Sequence, residues 1–191
     1  MHVARRITGG FIKFRRLSAV VLWLAVTPVL MTVGAPAAAQ EPVDCDRIGI
    51  KLSDQFSSPI CRTSRFRSSQ AMGRRESAFA ENRDYLISFH SARSGAGHTY
   101  VRSASFDQIF NYFGLSDDKR LIGVPQEAVD GFEYVTVGGK GLDSCILFRK
   151  GVRPFRSGFR AQHFGIACDK GRDGEYTPEE AAGLLSMVKD Y

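Results

Sequence analysis

The chain has 191 residues, with 26 Lys+Arg against 20 Asp+Glu and a formal net charge of +6; charged residues make up 24% and hydrophobic ones 43%. That balance excludes a disordered or collagen-like chain, and the length fits one domain with a tail. A charge of +6 invites a nucleic-acid or acidic-surface partner until its placement along the chain is read.

Residues 1–16 carry Arg5, Arg6, Lys13, Arg15 and Arg16 and no acid. The uncharged run Leu17 to Val33 follows, then the small residues Gly34 to Ala39. A basic head, an apolar middle and an Ala-x-Ala exit are the three parts of a secretory signal peptide. Cleavage is expected after Ala39, and the general secretory route is preferred over the twin-arginine one. An uncleaved anchor is the alternative, because a run of 17 residues sits at the lower limit for spanning a bilayer. Pro28 and the Ala-rich exit favour cleavage. Removing residues 1–39, with their five cations and no acid, leaves 152 residues, 21 Lys+Arg against 20 Asp+Glu, and a net charge of +1. A mature chain of that charge, periplasmic or secreted, is a poor candidate for nucleic acid. Contact with a membrane is expected only through the leader, if it stays attached. The single Trp of the chain, Trp23, lies in the leader.

All four cysteines, Cys45, Cys61, Cys145 and Cys168, lie in the mature part. An even count in an exported chain reads as two disulfides. Of three pairings, Cys45–Cys61 and Cys145–Cys168 close the shortest loops and are expected. No C-x-x-C is present, so neither a redox motif nor a zinc ribbon is supported.

In chain order, Cys45, Ile48, Leu52 and Phe56 share helical spacing, while Ile48, Ile50 and Leu52 also alternate as in a strand. Residues 62–83 hold six Arg against Glu76 and Glu81 among their carboxylates. They read as a mobile or helical connector following the first disulfide, within a unit 40–83 that completes the 84–191 core. Asp84 to His90 and His98 to Arg102 look like a β-hairpin with a seven-residue loop. Ser105 or Asp107 caps a short helix whose stripe is Phe106, Ile109, Phe110 and Phe113, and Gly114 closes it. Phe132 to Val137, Ser144 to Phe148 and His163 to Cys168 are further strands. Thr177-Pro178-Glu179-Glu180 starts a helix with an N-cap, Pro at the first position and a capping box, and Ala181, Leu184, Leu185 and Val188 form its buried stripe.

The pattern Cys145-Ile146-Leu147-Phe148, a basic loop, Gly165-Ile166-Ala167-Cys168, then Thr177-Pro178-Glu179-Glu180-Ala181 and an apolar helix resembles the C-terminal unit of small exported, disulfide-containing proteobacterial proteins of unassigned function. The resemblance covers about a quarter of the chain. It implies a strand–disulfide–strand–helix unit in the periplasm and no activity.

Four constellations are candidates for chemistry. Asp169 to Glu180 resembles an EF-hand loop, with Asp169, Asp173 and Glu180 as oxygen ligands for Ca²⁺. Gly171 stands where a third acid belongs, and Arg172 adds a cation inside the loop. Phe148 to Arg160 interleaves Arg149, Lys150, Arg153, Arg156 and Arg160 with three Phe, Phe148, Phe155 and Phe159, and has no acid. Such a stretch can grip an anionic envelope component or an acidic protein partner, with cations on phosphate or carboxylate and rings stacking. The histidines His90, His98 and His163 form the third set; His90 and His98 flank the expected hairpin and, with Asp84 or Asp107 nearby, are candidates for metal binding or hydrolytic work. No H-E-x-x-H or G-x-S-x-G accompanies them. Gly138-Gly139-Lys140-Gly141 lacks P-loop spacing and reads as a turn.

Together these features predict an α+β domain: a small antiparallel sheet from segments near 84–90, 98–103, 132–138, 144–149 and 162–168. Helices near 105–114 and 178–189 cover one face, and two disulfides hold the ends. The favoured function is a non-enzymatic envelope protein binding through the basic-aromatic loop. A small hydrolase using His90 or His98 and a calcium-binding module are the alternatives.

Overall fold

Alternating apolar residues between Glu41 and Asp169 meet in one large antiparallel sheet. A computed structural model describes residues 40–67, 72–95, 100–115, 118–139 and 144–190. Its elements are β1 (Glu41–Val43), a 3-10 turn (Cys45–Arg47), β2 (Ile50–Leu52), β3 (Ile60–Arg67), β4 (Met72–Glu81), β5 (Tyr85–Ser94), α1 (Phe106–Tyr112), β6 (Arg120–Glu127), β7 (Glu133–Gly138), β8 (Cys145–Phe155), β9 (Gly158–Asp169), α2 (Pro178–Leu185) and β10 (Val188–Asp190). Eight strands pair in the order β1-β3-β4-β5-β9-β8-β7-β6, and β10 pairs with β2 in a separate ribbon. The sheet is two meanders, β3–β4–β5 and β6–β7–β8–β9, joined along the β5–β9 seam. The fold is mostly β with two short helices.

Strand alternation divides the core between the two faces of the sheet. One face gathers Ile87, Phe89, Tyr134, Ile146, Phe148 and Ala167 beneath α2 and the 48–56 segment. The opposite face gathers Val135, Val137, Leu147, Phe164 and Ile166 beneath α1. Each helix lies where its cap predicts. Ser105 caps α1 in a box with Gln108, and Gly114 beyond its end takes a left-handed φ of 58°. Thr177 caps α2 in a box with Glu180, with Pro178 in the first turn. Gly165 lets the central strands close up, since a Cβ there would strike the Phe148 ring and the Ser88 carbonyl.

Cys45–Cys61 and Cys145–Cys168 are the two disulfides, as their spacing predicts, and no cysteine is free. They fit an oxidising, extracytoplasmic setting. Among the described residues no helix is long and apolar enough to cross a membrane.

Several sequence expectations are corrected. The helices sit on opposite faces, not on one, because both faces of β7, β8 and β9 are apolar and each needs cover. The Arg-rich 62–83 segment is not a connector. It forms most of the β3–β4 hairpin and belongs to the same sheet as the rest of the chain. Its charges are accommodated at the margin of the sheet: Glu76 is buried, ion-paired with Arg74 at 3.0 Å and accepting the Gly49 N–H at 3.1 Å. The expected 84–90/98–103 hairpin does not form. β5 runs on to Ser94 between β4 and β9, and Val101 makes only an isolated bridge with Phe159. The basic loop is not a loop, since β8 and β9 stay paired to a two-residue turn at Arg156-Ser157. The last helix stops at Leu185, and Val188 belongs to β10.

Candidate functional site

The far end of the β8–β9 hairpin carries the basic-aromatic residues, and its geometry separates them into two groups. Arg149 and Lys150 act inside the fold. Arg149 pairs with Glu133 at 2.7 Å, donates to the Ala104 carbonyl at 2.8 Å and lies 4.7 Å from the centre of the Phe106 ring. Lys150 stands 5.0 Å over Phe132, and Phe159 lies across Gly151. The second group presents outward. Phe155, half-buried, has the Arg160 guanidinium 3.7 Å from its ring centre and that of Arg156 at 5.5 Å. Arg153 and Arg156 are exposed, and both take left-handed backbone, with φ of 52° and 55°. At Arg156 this is the conformation a two-residue hairpin turn requires.

Tyr100 and Arg102 join this end although they lie far away in sequence. The Tyr100 ring rests on Gly158, where a Cβ would collide with it. Its phenol is held below the usual range, chiefly by hydrogen bonding to Ser157 and then to Arg102, with the charges of Arg102 and Arg156 adding to the effect. The hairpin end is thus a place where negative charge on oxygen is stabilised. Sequence reasoning missed Tyr100 and Arg102 because only the Val101–Phe159 bridge brings them there.

The histidines are dispersed. His98 lies outside the described residues. His163 is buried against Phe89 on the α2 face, with ring centres 5.6 Å apart. His90 is buried on the α1 face, stacked on Phe164 at 5.2 Å and edge-on to Tyr112 at 5.1 Å. Its Nε2 is 3.1 Å from Ser88 Oγ and its Nδ1 is 3.4 Å from the Tyr112 hydroxyl. Burial, reinforced by the Arg75 guanidinium, pushes its pKa down to about 3. The ring is therefore neutral, and an imidazolium formed by taking the Ser88 proton would lie buried beside a cation. That placement opposes general-base work. Asp84 lies at the opposite end of β5, its carbonyl accepting the Lys170 N–H at 2.8 Å, and Asp107 is exposed in the first turn of α1.

The acidic loop is built as a turn into α2. A strand, β9, enters it where an EF-hand needs a helix. Asp169 Oδ1 accepts the Gly171 N–H at 3.1 Å. Glu180 Oε2 accepts from Arg172 at 2.6 Å and from the Thr177 N–H at 2.9 Å. These bonds hold the Glu180 carboxyl below its usual range, the Thr177 N–H contributing most. Asp173 is exposed, and among the described residues no group of His, Cys, Asp or Glu is gathered to hold a metal. Sequence reasoning also missed Tyr176, the buried anchor of this loop. Its hydroxyl donates to the Ser144 carbonyl at 2.9 Å, and its carbonyl accepts from Tyr134 at 3.0 Å. Of the Gly-rich segment, residues 140–143 lie outside the described residues, and Gly138 ends β7.

No protein-family model, curated protein or solved structure matches the chain. The residues themselves therefore carry the functional reading.

Proposed function

We propose that this is an exported, envelope-located binding protein that holds an anionic partner at the end of the β8–β9 hairpin. The observation that carries the reading is the Phe155 ring flanked by the Arg156 and Arg160 guanidiniums at 5.5 and 3.7 Å, on an exposed turn. A guanidinium over a ring is weakly hydrated and holds its charge at a fixed position. Arg153, Arg102 and the Tyr100 hydroxyl extend the same surface. Two disulfides hold the hairpin and the N-terminal turn rigid outside the cytoplasm.

Co-sedimentation with vesicles of anionic phospholipid and with purified peptidoglycan tests the reading. The substitutions are Arg153→Asn, Arg156→Asn and Arg160→Gln, since Asn tolerates left-handed backbone at the first two positions. Binding by the parent and its loss in the triple variant support the reading. Absence of binding in the parent, or equal binding by the variant, refutes it.

A further inference from the structure

The α1 face is not covered evenly. α1 lies over β7, β8 and β9, and the β3–β4–β5 end of the same face opens as a groove of about 240 Å³. Cross-strand register sets its lining in two rows. Ile60, Phe79 and Ser88 stand side by side, and so do Arg62, Ser77 and His90. The first row is largely apolar and the second is cationic and hydrogen-bonding.

The apolar row opens to solvent at Ile60, which is 52% exposed, while Phe79 beside it is half-buried. The polar row carries no compensating acid, since none of the described lining side chains is a carboxylate. A second guanidinium, Arg75, stands one row further along the same face of β4, opposite Ala92. Its Nε is buried with no hydrogen-bond partner among the described residues. Arg75 also acts on the His90 ring through its charge, which places its field at the groove wall. The Arg62 guanidinium, the Ser77 hydroxyl and a neutral imidazole run beside the apolar row, with Arg75 one row further on, and match an amphiphile with one negative head. From this we infer that the groove binds a small anionic amphiphile, its carboxylate, sulfonate or phosphate on Arg62 and its apolar body along Ile60 and Phe79. This site is separate from the β8–β9 hairpin end and does not depend on it.

The probe is 1-anilinonaphthalene-8-sulfonate, with its uncharged relative N-phenyl-1-naphthylamine as the comparison. The described residues hold no tryptophan, so the probes' emission is free of that overlap. The native protein is expected to bind the sulfonate saturably at one site and the uncharged probe at least tenfold more weakly. Arg62→Gln should weaken sulfonate binding at least tenfold. So should Ile60→Glu, which puts a negative charge at an exposed rim position without disturbing the core. Decanoate should displace the sulfonate, and decanol should not. Circular dichroism melting shows that each variant is folded. The triple variant of the hairpin end should bind the sulfonate as the parent does, which separates failure of this inference from failure of the previous one. Several results overturn the inference: no saturable binding, equal binding of the two probes, or unchanged binding in either groove variant. Sedimentation showing a parent dimer that Ile60→Glu converts to monomer also overturns it, because a second copy then fills the groove.

Discussion

The His90 ring stays neutral in the folded protein at pH values where the unfolded chain protonates it. Folding buries the ring among Phe164, Tyr112 and Phe113 and lowers its pKa from 6.5 to about 3. Between those two values the unfolded chain binds a proton at this ring that the folded chain does not, so stability falls as pH falls below about 6.5. Each pH unit inside the window costs about 1.4 kcal/mol. His90→Phe keeps the stacked ring and removes the titration, although Ser88 and Tyr112 then lose their partner. Urea unfolding at pH 7, 6, 5 and 4 should therefore show the parent losing stability faster than the variant as pH falls. Parallel pH profiles for the two would mean that the folded ring titrates normally. Above pH 7 the variant should be the less stable of the two at every pH, because two hydroxyls are left without the imidazole.

At the scale of elements, the disulfides divide by burial. Cys145 and Cys168 face each other across β8 and β9 on the α1 side and are 1% and 7% exposed. Cys45 is only half-buried, in a single 3-10 turn at the start of the described chain. Mild reductant without denaturant should open Cys45–Cys61 first, and alkylation followed by mass spectrometry reads the order. Simultaneous reduction of both would contradict it. Cys145→Ala with Cys168→Ala should cost about 2–4 kcal/mol, lowering Tm by roughly 10 °C in a domain of this size. The elements that were legible in the sequence are those with local signals. Both capping boxes use residues three apart, and each disulfide spans a short loop, so neither needs knowledge of the sheet. The β3–β4 hairpin was illegible because its Arg, Ser and Thr residues lie at the thin margin of the sheet, where alternation between core and solvent is weak. β5 looked like a strand and a turn because Ser91, Ser94 and Gly95 mimic loop composition, while pairing on both sides keeps the strand extended. The candidate sites follow the same rule. Phe155 and its arginines are neighbours in sequence and were visible there. Tyr100 reaches them through an isolated bridge, and the groove gathers three strands whose register no local pattern records.

At the scale of the molecule, charge is separated along β9. The strand starts at the basic turn, beside Gly158, and ends at Asp169, where the acidic stretch to Glu180 begins. At about 3.4 Å per residue its ends are roughly 35–40 Å apart. That exceeds the ~8–10 Å Debye length at physiological salt, so each end acts on its surroundings independently of the other. Residues 40–191, with a net charge of only +1, can therefore dock on an anionic surface by their basic end while the acidic end faces away. Each Arg near such a surface is worth about 1 kcal/mol, so removing three should weaken vesicle binding by roughly 10²-fold at low salt. Placement can be separated from total charge with a matched control, Arg47→Asn, Arg83→Asn and Arg120→Asn, which changes the net charge equally at exposed positions away from the hairpin end. The hairpin triple, Arg153→Asn, Arg156→Asn and Arg160→Gln, should lose binding while the control retains most of it. Raising the salt to 0.5 M should bring parent and control down to the level of the hairpin triple. Equal losses in the two variants at low salt would mean that total charge, not the flanked Phe155 ring, determines the contact.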